Sequence, residues 1–242
     1  MNRIPPPTGC EYRRLSSIAR SSTYAHYPNS ANILCSAMIF SRFWHGRSCL
    51  ELGPAEGLMT GILSKRFRDL TVVDGAKRFC SRLRRRYPRA HVVNTLFECF
   101  QPGRAFDTII LGHVLEHVQD PIRLLKRARS WLSPRGVLCA AVPNANSLHR
   151  QAAVIMGLLP RVEALNKADH QHGHRRVFDM KRLLDAFRKA GMRIQASGGY
   201  WLKPVSNAQI RETWTPEMLD AFMILGEQYP DCAGELYVIG MR

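Results

Sequence analysis

Acidic residues are scarce in this chain, long apolar runs are missing, and no two cysteines stand at C-x-x-C spacing. Each shortage excludes something. No apolar run approaches the roughly 18–20 residues a helix needs to cross a bilayer, so a spanning helix is not expected. The first 25 residues carry Pro5-Pro6-Pro7 and several Arg and Ser but no apolar signal-peptide core. Such a composition imitates an organellar transit peptide, but the expectation is a partly disordered leader over 1–29 and one domain over 30–242. Seven cysteines, an odd number, point to free thiols in a reducing compartment, cytoplasmic by default, and away from a zinc cluster. No internal repeat is visible.

The shortage of acids leaves 35 Lys and Arg against 19 Asp and Glu, a net charge of +16. Strong basicity raises the question of nucleic acid, whose phosphates such residues neutralise. The densest run is Lys77, Arg78, Arg82, Arg84, Arg85, Arg86 and Arg89, on an expected helix and the loop after it. The remaining cations are spread over the whole chain, which favours a solvated helix face. A nucleic-acid partner is therefore not the expectation.

A dinucleotide fingerprint is also lacking. G-x-G-x-x-G starting at Gly53 needs glycine at 55 and 58, where Ala55 and Leu58 stand. What is present is a short strand over 48–52 that turns at Gly53 and Gly57 into a helix-compatible run. Glycine admits positive φ and close approach of a ligand, and a helix N-terminus presents free N–H groups. Seventeen residues after Gly57, a second strand ends in Asp74, an acid placed to accept ribose hydroxyls.

Glu51 two residues before Gly53, with Gly57 four after it, gives E-x-G-x-x-x-G. This pattern resembles motif I of the class I S-adenosylmethionine-dependent methyltransferases; the middle glycine of the fuller pattern is Ala55 here. The segment Leu111-Gly112-His113-Val114-Leu115-Glu116-His117-Val118-Gln119-Asp120-Pro121 resembles the group that contains the ubiquinone-biosynthesis O-methyltransferases. The resemblance covers about 45–145 well and the remainder in outline. It implies S-adenosylmethionine as cofactor, with Glu51, Gly53, Ala55 and Gly57 at the methionine part and Asp74 at the ribose. Leu96, Phe97 and Gly112 would lie around the adenine and the end of strand four.

The order of elements agrees. Apolar residues over 31–45 keep helical spacing. Strands are expected at 48–52, 70–74, 91–94, 106–111, 137–142, 192–196 and 235–241, with helices at 57–67, 76–86, 121–132, 148–159, 179–189 and 216–228. Such alternation predicts an α/β fold, a Rossmann-like doubly wound sheet. The family resemblance makes it seven-stranded and mostly parallel, with an antiparallel last strand. Two insertions, 145–178 and 200–215, are candidates for helical lids over the substrate.

Methyl transfer from a sulfonium is an in-line displacement, so alignment of donor and acceptor matters most. A hydroxyl acceptor also loses a proton, a task suited to histidine. His113, just past strand four, is the first candidate base. On a helical turn His113, Glu116 and His117 share one face, which admits a divalent metal as the less favoured alternative. The run Asp169-His170-Gln171-His172-Gly173-His174-Arg175-Arg176 is the second polar concentration. His174 is placed with the catalytic groups; His117, His170 and Arg175 with the substrate. Arg175 or Arg176 is available to a carboxylate or phosphate, and Tyr200 and Trp201 offer an aromatic wall or core packing. The expected activity is methylation of a hydroxyl, or an amine, of a small polar metabolite or sugar derivative, with a homodimer as the candidate assembly. The alternatives are an RNA or protein methyltransferase and a non-catalytic S-adenosylmethionine-binding subunit.

Overall fold

The computed structural model describes residues 9–242. Its centre is β1 (Ser48–Leu52), whose Cys49, Leu50, Glu51 and Leu52 are all buried. A strand buried on both faces belongs in the middle of a parallel sheet. It is flanked in parallel by β2 (Asp69–Asp74) and β4 (Phe106–Gly112). Outward lie β3 (His91–Asn94) beside β2, and β5 (Leu132–Pro143) beside β4. β7 (Glu235–Met241) is antiparallel to β5 and to the edge strand β6 (Arg193–Tyr200). The order is β3-β2-β1-β4-β5-β7-β6, the expected doubly wound seven-stranded sheet. The strand order reverses between β1 and β4, where ligands of such sheets bind.

The helices cover both faces. They are α2 (Asn29–Ser41), α3 (Leu58–Arg66), α4 (Lys77–Arg86), α5 (Pro121–Trp131), α6 (Leu148–Ile155), α7 (Lys167–His172), α8 (Met180–Lys189), α9 (Asn207–Thr213) and α10 (Pro216–Leu225). In α4 the side chains of Phe79, Cys80 and Leu83 are buried while its arginines are exposed, so the densest basic run is a solvated face. Asp120 caps α5 by accepting from the Arg123 N–H, with Pro121 at the first turn. A capping box between Asn166 and Asp169 starts α7, and Gly173 at φ +79° ends it.

Two expectations need correction. Within the expected partly disordered leader, 1–29, Gly9–Arg20 form a helix, α1; residues 1–8 lie outside the described residues. Ala19 and Leu15 pack with Ala76, Phe79 and Ala55, so this apolar edge is buried against α4 and the glycine loop. The stretch 200–215 contributes no residue to the main cavity described below. Tyr200 and Trp201 are 0% and 1% exposed in the second core cluster, and the Trp201 N–H donates to the Met223 carbonyl at 2.9 Å. Burial of two large rings outweighs their use as a substrate wall. β5 and β6 are each longer than their apolar runs, because backbone pairing with β4 and β7 continues through polar residues.

Candidate active site

The glycine turn is built by backbone conformation. Gly53 (φ +70°) donates its N–H to the Val73 carbonyl at 2.9 Å, which ties the loop to β2. Gly57 (φ +85°) is the N-cap of α3, and a Cβ there would overlap Leu83. Ala55, at φ +47°, holds a left-handed backbone that a glycine would adopt without strain. The loop opens a cavity of about 400 Å³ beyond the carboxyl ends of β1, β2 and β4.

Its floor gathers most of the predicted cofactor residues: Glu51, Gly53, Ala55, Asp74, Leu96, Phe97 and Gly112. Gly57 does not line it; it stands behind the loop and sets the helix start. Glu51 is 2% exposed and accepts from Thr60 Oγ1 at 2.6 Å; burial pushes its carboxyl up to about 8. Asp74 accepts from the Ala76 N–H at 2.7 Å and is likewise pushed up by burial, to about 7. Two buried carboxyls facing one cavity present unspent affinity for a cationic or hydroxyl-bearing ligand.

At the mouth stands His113, at φ +58°. Its Nε2 lies 3.0 Å from Glu235 Oε2, and 3.3 Å from the Asn32 amide. Burial opposes the imidazolium, but the charge and hydrogen bond of Glu235 outweigh it and raise the pKa of His113. With Nε2–H committed to Glu235, the other ring nitrogen is left for proton transfer. Glu235 carried no signal in the sequence, since it opens the last strand 122 residues away.

The remaining imidazoles form a separate group. His117 accepts from Tyr24 Oη at Nε2 (3.1 Å) and donates from Nδ1 to the Gly173 carbonyl at 3.3 Å. Burial, then the nearby His174, Arg14 and His113, hold it well below its ordinary pKa, hence neutral. His174 meets Asp169 at 3.0 Å, and Asp169 also pairs with buried Arg150 at 3.0 Å. Burial alone would raise Asp169, but these partners keep it well below the carboxylate range. His174 therefore does not line the main cavity; it lines a shallower depression with His170.

The metal alternative drew on His113, Glu116 and His117. His113 is turned to Glu235, and the donor atoms that come within 4.8 Å of one another are those of Glu116, His117 and His174. Glu116 is wholly buried and neither carboxyl oxygen has a hydrogen-bond partner among the described residues; burial raises its pKa.

Of the two arginines, Arg175 lines the cavity and donates to the His117 carbonyl (2.9 Å) and to Glu11 (3.0 Å). Arg176 instead clamps the turn after β4 through the carbonyls of Val118 (2.6 Å) and Gln119 (2.9 Å). One wall of the cavity carried no signal in the sequence. It comes from α1 and the segment after it: Glu11, Arg14, Leu15, Ile18 and Tyr24. Arg14 donates to the carbonyls of Gly173 (3.1 Å) and His117 (3.3 Å), and Leu15 covers Gly75 at the end of β2.

Comparison with known proteins agrees with this geometry. A family model described as a methyltransferase domain matches residues 24–197, well over half the chain. The chain belongs to the class I S-adenosylmethionine-dependent methyltransferases. A ubiquinone biosynthesis O-methyltransferase of Actinobacillus pleuropneumoniae is 24% identical over 171 residues, 66% of this chain and 72% of that protein. A probable S-adenosylmethionine-dependent methyltransferase of Mycobacterium tuberculosis is 29% identical over 99 residues, and the match spans only 36% of its length. The N-methyltransferase NodS from Bradyrhizobium japonicum, solved with S-adenosyl-L-homocysteine, superposes with a TM-score of 0.59 at 16% identity, covering 95% of this chain and 96% of that one. At that identity the likeness is one of fold. In this methyltransferase S-adenosylmethionine is the cofactor. Glu51, Asp74 and the loop between them fit it: a buried carboxyl for an ammonium group, an acid for a ribose, and apolar Leu96 and Phe97 for a base.

Proposed function

We propose that the enzyme transfers the methyl group of S-adenosylmethionine to a hydroxyl, or to an amine, of a small polar metabolite or sugar derivative. The observation that carries this reading is the His113–Glu235 pair at the mouth of the cofactor cavity. S-adenosylmethionine supplies an electrophilic methyl carbon on a sulfonium. With the cofactor bound, the other ring nitrogen of His113 would take the proton that the acceptor hydroxyl gives up on methylation. Glu235 holds the imidazole by its other nitrogen and balances the charge that develops. An amine acceptor needs the same group only to take up the proton released after attack.

The wall formed by α1 supports a small acceptor, since Glu11, Arg14, Leu15, Ile18 and Tyr24 line one side of the chamber. The second reading, an RNA or protein acceptor, draws on net charge, yet none of the α4 arginines lines the cavity. The experiment supplies methyl-labelled cofactor to purified enzyme with a metabolite extract, with RNA and with denatured protein. Label in the metabolite fraction that disappears with His113→Ala supports the proposal. Label in RNA or protein alone would replace it with the second reading, and none in any fraction would favour a non-catalytic subunit.

A further inference from the structure

Outside the α1 wall lies a second depression, bounded by α1, Thr23 and the 170–175 loop. Its donors include Arg14, Arg175, Ser17, Thr23, His170 and His172, and among the described residues no Asp or Glu lines it. Arg14, Ser17 and Ser21 fall on one face of α1 and its C-terminal continuation, three and four residues apart, so they point the same way. Facing them, α7 and the residues after it bring His170, His172 and Arg175, and all the imidazoles have an N–H to donate even when neutral. Asp169 is engaged by Arg150 and His174, and Glu11 by Arg14 and Arg175; Glu56, whose charge also acts on His172, does not line the depression.

The depression and the reaction cavity share Arg14, Ile18 and Arg175 as a common wall. Arg14 and Arg175 thus face both the chamber that holds His113 and the outer depression. The wall already holds one anion, because the Glu11 carboxylate sits 2.7 Å from Arg14 and 3.0 Å from Arg175. A pocket lined mainly by donors and cations around Ile18, beside a chamber whose own floor is acidic, sorts a ligand by charge along its length.

We propose that this outer depression is a binding site for an anionic group, phosphoryl or carboxylate, with His170, His172, Arg14 and Arg175 as its donors. Resting on the methyl-transfer reading above, that group belongs to the methyl acceptor, whose hydroxyl or amine lies at His113 while its anionic end stays outside α1. The acceptor class is then a phosphorylated or carboxylated small molecule.

The test titrates the full chain, saturated with S-adenosylhomocysteine so that the cofactor cavity is filled, with inorganic phosphate and separately with malonate. Chloride at matched ionic strength is the blank. Saturable heat above the blank is expected for at least one anion; phosphate alone assigns a phosphoryl group and malonate alone a carboxylate. The double variant His170→Ala/His172→Ala should weaken that binding about tenfold or more, as loss of hydrogen bonds to a charged group does, with S-adenosylhomocysteine affinity unchanged. No saturable heat with either anion, or undiminished binding in the double variant, overturns the proposal. The S-adenosylhomocysteine titration that precedes each run reports on the methyl-transfer reading by itself, so the two failures are told apart.

Discussion

His113 and Glu235 meet at 3.0 Å across 122 residues of chain, one just past β4 and the other at the first residue of β7. The antiparallel pairing of β7 with β5 delivers the glutamate, and the left-handed backbone of His113 turns its ring toward it. Backbone strain of this kind costs about 1–3 kcal/mol and persists where surrounding structure requires it.

The first prediction concerns that pair. Glu235 raises the pKa of His113, so the imidazole becomes a free base only as pH rises through that raised value. Turnover should therefore climb from acid toward alkaline pH. Glu235→Gln removes the charge that stabilises the imidazolium, and the rising limb should move to lower pH. His113→Ala should lower turnover about 10²-fold or more at constant cofactor affinity. Profiles of kcat for both variants decide this; a Glu235→Gln profile that overlays the wild type removes Glu235 from the reaction.

A second prediction follows from Glu51. Burial raises its carboxyl to about 8, so at neutral pH the ligand-free protein holds a proton there. The sign follows from linkage: between its ordinary value near 4.5 and about 8 the folded state binds the extra proton, and stability without ligand falls as pH rises through that range. The ammonium group of the cofactor favours the carboxylate. Cofactor affinity should accordingly strengthen from pH 6 to about 8, with protons released on binding. Calorimetry in buffers of different ionisation enthalpy measures the release, and Glu51→Gln should reduce it, leaving the part that belongs to Asp74.

The glycine loop gives a stability prediction. Gly57 is at φ +85° and a Cβ would overlap Leu83, so Gly57→Ala should destabilise by about 1–3 kcal/mol in urea unfolding. Ala55→Gly relieves a left-handed alanine and should cost nothing or add stability. Equal and large losses in both would contradict the loop geometry.

What the sequence carried was the part of the site set by local backbone. Glu51, Gly53 and Asp74 sit at strand ends fixed by short, mostly apolar runs and a glycine turn, both readable without tertiary contacts. Glu235, Arg14 and Leu15 were invisible because their roles come from pairing across the sheet or from docking of α1, and polar residues near a chain start read as solvent-exposed. Tyr200 and Trp201 went the other way. An aromatic pair after two glycines suits a wall or a core equally, and only the pairing of β6 with β7 buries it.

The docking of α1 is the fourth prediction. Arg14 ties the helix to the carbonyls of Gly173 and His117, a contact that Arg14→Ala removes. Hydrogen exchange of residues 9–20 should quicken in the variant, while the amides of β1 and β4 stay protected. Unchanged exchange in α1 would mean that Leu15 and Ala19 hold it unaided.

The central claim is that the ends of β1 and β2 grip the amino-acid and ribose parts of S-adenosylmethionine. Its most direct test is calorimetric titration of S-adenosylhomocysteine into the wild type and Asp74→Ala. Saturable binding at one site in the wild type and its loss in the variant is the predicted result; the same affinity in both, or no heat in either, contradicts it.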